Sequence, residues 1–270
     1  MSEEVRLAQW LGANATAAFL IALAGMLTVV GAGWLAYRRL ERGRGVDQPP
    51  APRVLVLRLL VGLGVAVGAG LSFAELAEAL DLSDGLARFD TALTAALRQH
   101  VSLAALRSFA LVTRLGDTST LTALGILVAG LLLVASQRRL ALLWVLAIGG
   151  NSVLNVLLKG TFERVRPVYE HDLLLSHSGW SFPSGHSSGS VVAYGMLAYV
   201  LVHLVSPRWQ LPLLLLATLL ALTIGFSRVF LQVHYFSDVL AGFASGLVWL
   251  TICIVSSEWL RLRRSMSKPA

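Results

Sequence analysis

Residues 139–167 read RLALLWVLAIGGNSVLNVLLKGTFERVRP. Between Arg139 and Lys159 no residue is charged, and a run of about 20 such residues is what an α-helix needs to cross the hydrocarbon core of a bilayer. Within it Asn151, Asn155 and Lys159 follow one another at four-residue steps, so they share one helix face. Two amides and an ammonium do not belong against lipid tails. The stretch therefore predicts a membrane span whose polar stripe turns into the interior of a helical bundle.

The rest of the chain agrees. Of its 270 residues 56% are apolar and only 14% charged, where a soluble domain carries roughly a quarter charged residues. Seven candidate spans are expected, at 13–37, 54–79, 118–136, 139–159, 187–205, 210–230 and 238–259. The fold class is all-α, a polytopic transmembrane bundle of six to seven spans forming one membrane domain over 1–270. The first run follows Glu3 and Glu4 rather than a basic cluster and is too long for a signal peptide, so it is taken as a retained span. The segment 80–117 repeats Leu86, Phe89, Leu93 and Leu97 at helical spacing. It is either an amphipathic helix lying on the membrane surface or a short helix packed on the bundle.

The net charge of +7 comes from 20 Arg and 2 Lys, clustered at the ends of apolar runs. That placement marks topology rather than nucleic-acid binding. Alternate loops carry 13 and 9 basic residues. The richer set (loop 38–58, 137–140, Arg208 and the tail from Arg261) is expected to be cytoplasmic, with the N-terminus outside and the C-terminus inside. Cys253, the sole cysteine, lies in an apolar run and is expected to serve in a packed interface.

Three polar clusters then fall on one, outer, side. In the first, Lys159 and Arg166 are seven residues apart; they share a face if the helix continues, and a bend toward Pro167 would bring both heads to one point. Two cations so placed suggest an anionic ligand. Arg164 between them is expected only to reach phospholipid headgroups. In the second, Trp180-Ser-Phe-Pro-Ser-Gly-His-Ser-Ser188, the residues Ser184, Gly185 and His186 sit at a helix N-terminus, where free amides and the helix dipole favour an anion. Ser184 also suits an ordinary N-cap. In the third, His234 and Asp238 stand four apart near a helix start. The carboxylate can fix the imidazole tautomer and leave the other nitrogen free to attack, while Arg228 adds a third cation. His171, Asp172 and His177 match no metal-ligand spacing and are expected to be loop residues. Arg114 and Asp117 either line a lipid entrance or cap a helix, and Gly242 with Gly246 form a small-residue pair for helix contact.

Lys159–Pro167 fits K-x6-R-P, residues 183–186 are Pro-Ser-Gly-His, and Ser227–Asp238 fits S-R-x5-H-x3-D. Jointly, in this order and spacing, they resemble the type 2 phosphatidic acid phosphatase (PAP2) superfamily, over about 80 residues from Lys159 to Asp238. The resemblance implies a PAP2/haloperoxidase-like helical core over 54–260, with 1–53 as an extra N-terminal span and basic loop. Four expected spans precede Lys159, where the family commonly has three. It further implies a phosphohistidine intermediate on His234, His186 as general acid, Asp238 orienting His234, and Lys159, Arg166, Ser184, Gly185 and Arg228 holding phosphoryl oxygens, with no metal and no cofactor.

The expected function is hydrolysis of a phosphomonoester or diphosphate on a lipid within the bilayer, at the extracytoplasmic face of the cell (inner) membrane. Candidate substrates are a polyprenyl diphosphate such as undecaprenyl diphosphate, which extracytoplasmic carrier recycling favours, phosphatidic acid, or phosphatidylglycerol phosphate. A lipid phosphotransferase would use the same phosphohistidine. A lipid transporter or flippase would leave the His234–Asp238 spacing and the Pro-Ser-Gly-His run unexplained, and the membrane body argues against a haloperoxidase.

Overall fold

A computed structural model describes residues 1–40, 52–82, 84–167 and 179–266. Among them every regular element is helical: α1 (Glu3–Ala13), α2 (Ala15–Leu40), α3 (Pro52–Leu82), α4 (Asp84–His100), α5 (Leu103–Thr113), α6 (Thr118–Val134), α7 (Arg138–Phe162), α8 (Gly185–Val202), α9 (Gln210–Phe230) and α10 (Phe236–Met266). Short 3-10 turns, Arg114–Gly116 and Pro207–Trp209, lead into α6 and α9. His171, Asp172 and His177 lie outside the described residues, as do Pro49 and Pro50.

Polarity is inverted relative to a water-soluble protein. Ile21, Ile126 and Val156 are more than 70% exposed, whereas Asp90, Arg228, His234 and Asp238 are at most 2% exposed. In a bilayer this is the low-energy arrangement, because apolar side chains meet lipid and charges meet one another inside the bundle.

Among the described residues five helices are long and apolar enough to cross a membrane: α2, α3, α7, α9 with its leading 3-10 turn, and α10. The segments Leu103–Gly116 and Thr118–Val134 make a sixth if taken as one span bent by 42°. The expected run at 118–136 is α6, the second member of that bent pair. The expected run at 187–205 is α8, whose first turns carry His186, Ser187, Ser188 and Ser190. These hydroxyls are affordable because α8 is enclosed: 11 of its 18 residues are buried, and α7, α9 and α10 pack on it.

Two apolar clusters flank α8. One gathers Leu132, Trp144, Val192, Met196 and the buried Cys253 from α6, α7, α8 and α10. The other joins Ala8 of α1 and Leu93 and Leu97 of α4 to Val229 and Val239. With Leu93 and Leu97 only 5% and 2% exposed, the apolar face of α4 is packed on the bundle. Phe19 docks α2 by edge contacts with Phe109, Phe226 and Phe230, at centroid separations of 5.8–5.9 Å.

The small-residue pair on α10 brings that helix against α8. A Cβ on Gly242 would stand 2.5 Å from the Ser184 carbonyl oxygen, and one on Gly246 2.9 Å from that of Ser188. Backbone cannot yield as a side-chain tip does, and overpacking of this kind typically costs about 1–3 kcal/mol. Gly242→Ala is expected to lower the thermal unfolding midpoint in detergent by several degrees. Gly70→Ala, whose Cβ would meet only a Val248 methyl at 3.9 Å, is expected to leave it unchanged.

Candidate active site

The turn between α9 and α10 carries His234. α9 stops at Phe230, Gln232 adopts a left-handed φ of 57°, and the amides of Val233 and His234 return to the Arg228 carbonyl at 3.1 and 3.3 Å. Arg98 of α4 donates to the Gln232 side chain at 3.1 Å, pinning the turn from outside. His234 therefore precedes the helix by two residues instead of starting it, yet its Nδ1 still lies 3.3 Å from Asp238 Oδ2. The same carboxylate oxygen accepts the Tyr235 amide at 2.9 Å.

α7 ends at Phe162, because Glu163 takes a left-handed φ of 44° and its amide caps the Lys159 carbonyl. The helix does not continue to Arg166, so a shared helix face is not how the two cations meet. The reversal of the chain brings them together: Lys159 Nζ and Arg166 Nη2 both donate to the Trp180 carbonyl. Arg166 Nη1 also donates to the Val233 carbonyl and to His234 Nε2, each at 2.9 Å. Since Nε2 accepts, the imidazole proton resides on Nδ1, facing Asp238.

Arg164 departs from expectation. It does not reach out to headgroups but turns inward, donating to Asp238 Oδ1 at 2.6 Å, Asp90 Oδ2 at 2.8 Å and Ser237 Oγ at 2.7 Å. The cause is the left-handed cap, which aims the chain back over the start of α10, where two buried carboxylates need a bidentate cation. Asp90, on α4, also accepts the Ser237 amide and hydroxyl.

Ser184 is the N-cap of α8, accepting from the Ser187 amide at 3.3 Å and bonding the Ser187 hydroxyl at 2.9 Å. It is fully buried, and the capping role is the one its geometry displays. Gly185 allows a close approach, for a Cβ there would lie 3.0 Å from Asn155 Oδ1. His186 Nε2 stands 2.9 Å from Asp117 Oδ1. Asp117 occupies the N-cap position of α6 with no side-chain bond to its own helix, and its carboxylate meets that histidine instead. Arg228 is buried at the end of α9 and donates to Thr113 Oγ1 at 2.9 Å.

Lys159, Arg166, Gly185, His186, Arg228 and His234 line a single cavity of about 320 Å³. It continues down α6, α7 and α8 past Thr118, Leu121, Ile148, Asn151, Asn155 and Val192. Thr118 and Thr122 of α6 and Ser152 and Val156 of α7, all exposed, also line it. Burial pushes the His234 imidazole well below its ordinary proton affinity, and the charges of Arg166, Arg228, Lys159 and His186 push in the same direction. The ring is neutral at physiological pH, with a lone pair on Nε2. A phosphate-sized anion at this end of the cavity would meet cations on one side and that nitrogen on another.

Seven of the eight residues singled out in the sequence thus gather around the His234–Asp238 pair and the cavity beside it, and Ser184 sits one layer behind as a cap. Three residues were missed. Arg164 is masked by its neighbour Arg166, Asp117 by its resemblance to a helix cap, and Asp90 by a separation of 147 residues from its partner Ser237.

Comparisons with known proteins place these features in a lineage. A model of the PAP2 superfamily matches residues 139–262. Phosphatidylglycerophosphatase B of Bacillus subtilis is 37% identical over 139 residues, 51% of this chain and 68% of that protein. Lipid A 1-phosphatase of Rhizobium johnstonii is 33% identical over 110 residues, 38% of this chain and 41% of that one. The crystal structure of a transmembrane PAP2-type phosphatidylglycerolphosphate phosphatase from Bacillus subtilis superposes with a TM-score of 0.64 at 30% identity, covering 75% of this chain and 97% of the other. With that coverage, and with the helical bundle and cation-lined cavity described above, the chain belongs to the PAP2 superfamily and is a multi-pass membrane phosphatase.

Proposed function

We propose that the chain dephosphorylates a lipid through a covalent phosphohistidine on His234. The observation that carries this reading is the arrangement of that side chain: Nδ1 on Asp238, Nε2 turned to the cavity and touching Arg166. A phosphoryl group bound by Lys159, Arg166, Arg228 and the α8 N-terminus presents its phosphorus to Nε2, and Arg166 exchanges its bond to the imidazole for bonds to phosphoryl oxygens. Nε2 attacks, the bond from phosphorus to the lipid oxygen breaks, and His186 gives that oxygen a proton. Water then attacks the phosphohistidine, His186 takes its proton, and inorganic phosphate leaves. Asp238 holds the developing imidazolium and Asp117 orients His186. Because three cations supply the charge stabilisation, the cycle needs no metal.

The same reading puts the catalytic core at 54–260 with 1–53 as an N-terminal addition, and the site at the extracytoplasmic face of the cell membrane, supported by the basic loops at the opposite side. Exposed lining residues on α6 and α7 suit a substrate that enters from the bilayer between these helices. Lipid phosphates in this range include phosphatidic acid, phosphatidylglycerol phosphate and polyprenyl diphosphates.

In detergent, His234→Ala is expected to lower phosphate release from phosphatidic acid by about 10³-fold or more, and full activity in this variant overturns the mechanism. His186→Ala is expected to lose about 10²–10⁴-fold, the usual weight of a general acid. Acid-quenched wild type given ³²P-labelled substrate is expected to retain label that His234→Ala lacks. Orthovanadate is expected to inhibit, and a metal chelator to leave the rate within about twofold.

The pH profile tests the imidazole separately. A depressed proton affinity keeps His234 neutral as pH falls through the ordinary histidine range, so its acid limb in kcat/KM is expected well below pH 6.5. Arg166→Gln removes one of the charges responsible and is expected to move that limb to higher pH, in addition to slowing the reaction.

A further inference from the structure

The polar stripe on α7 extends beyond what phosphoryl transfer requires. Lys159 ends it at the phosphate-binding end of the cavity. Asn155 and Asn151 lie four and eight residues back, about 6 and 12 Å nearer the middle of the membrane at 1.5 Å per residue. Asn155 is engaged, donating to Ser188 Oγ at 3.4 Å and packing on Gly185. Asn151 is different. It lines the cavity and is 6% exposed, yet among the described residues its amide meets no hydrogen-bonding partner. The lining it shares includes Leu121, Ile148 and Val192 together with Thr122 and Ser152. An amide that lines such a cavity finds its partner in whatever fills the space.

We infer that Asn151 is a specificity-determining residue: its amide donates a hydrogen bond to an ester oxygen that the substrate carries below its phosphate. The inference rests on the reading of the cavity as the lipid phosphate site. A lipid held with its phosphate at Lys159 and Arg166 directs the rest of itself down α7, toward the interior of the bilayer. In a glycerol-ester lipid the next polar atoms are the glycerol oxygens and acyl carbonyls, a few bonds from phosphorus and on the path that leads past Asn155 to Asn151. In a prenyl diphosphate everything past the second phosphate is hydrocarbon, and the amide would stay unsatisfied beside it. A cavity of about 320 Å³ is at the small end for ligand sites, enough for a headgroup and its glycerol with the chains left in the membrane. Asn151 thus favours ester lipids over prenyl ones by a difference in satisfied polar groups, the kind of discrimination a polar site makes well.

The test uses the full-length protein in detergent with three probes: dioleoyl phosphatidic acid, its dialkyl ether analogue, and farnesyl diphosphate. For the wild type, kcat/KM is expected to be about 5–10-fold higher for the diester than for the diether, the usual weight of one hydrogen bond; equal values overturn the proposal without recourse to a variant. In Asn151→Leu, the ratio of kcat/KM for phosphatidic acid to that for farnesyl diphosphate is expected to fall about 5–10-fold, with the diester advantage over the diether lost. An unchanged ratio in a variant with a wild-type unfolding midpoint also overturns it and assigns Asn151 to bound water. His234→Ala, run in parallel, separates the two levels. If it is inactive while the ratio stays constant, the subsite alone falls; if it still hydrolyses, the reading of the whole cavity falls with it.

Discussion

A single guanidinium shared between two buried carboxylates underlies the rest of this structure. Arg164 spans Asp90 of α4 and Asp238 of α10, both essentially without exposure. Desolvating a carboxylate in a membrane protein is affordable only against a well-oriented cation, and removing one member of such a buried pair generally costs about 3–5 kcal/mol. The fork of Arg164 bridges both and ties the segment after α7 to the body of α4 and the first turn of α10. Arg164 thereby engages one oxygen of Asp238, and the other faces His234 Nδ1 and the Tyr235 amide. The orientation of the imidazole is inherited from an ion pair on the side away from the cavity.

Asp238 has a second attachment. Its main-chain carbonyl accepts the Ser184 amide at 2.9 Å, while Gly242, one turn further along α10, admits the Ser184 carbonyl at a distance no Cβ would allow. One residue thus anchors the histidine by its side chain and the N-terminal turn of α8 by its backbone. The separation between nucleophile and helix N-terminus is set by a backbone contact, which has no rotamers to explore. That rigidity suits electrostatic stabilisation, where donors must already point at the developing charge.

The helical membrane bundle was legible because the spans are long and their polar residues recur at helical spacing, as in Asn151, Asn155 and Lys159. The clusters around His186 and His234 were legible because each is local: a cap turn and an i,i+4 pair write themselves into a few consecutive residues. What escaped was set by distance or by backbone conformation. Nothing near Asp90 announces Ser237, and nothing short of the left-handed angle at Glu163 sends Arg164 and Arg166 to opposite ends of the His234–Asp238 pair. Apolar runs also located α6 and α8, but not the bend of 42° between the helix that ends before Asp117 and the one that follows it, nor the neighbours that shelter the hydroxyls of α8.

Cavity-lining residues exposed on α6 and α7 have a consequence for kinetics under the proposed function. A cavity that opens into the bilayer samples its ligand in two dimensions, so the relevant concentration is the mole fraction of phosphorylated lipid in one leaflet, independent of the aqueous volume around the membrane. Diluting the enzyme and its lipids together with buffer leaves that fraction untouched, whereas adding inert lipid or detergent lowers it. With a lipid as substrate, saturation would be a property of membrane composition.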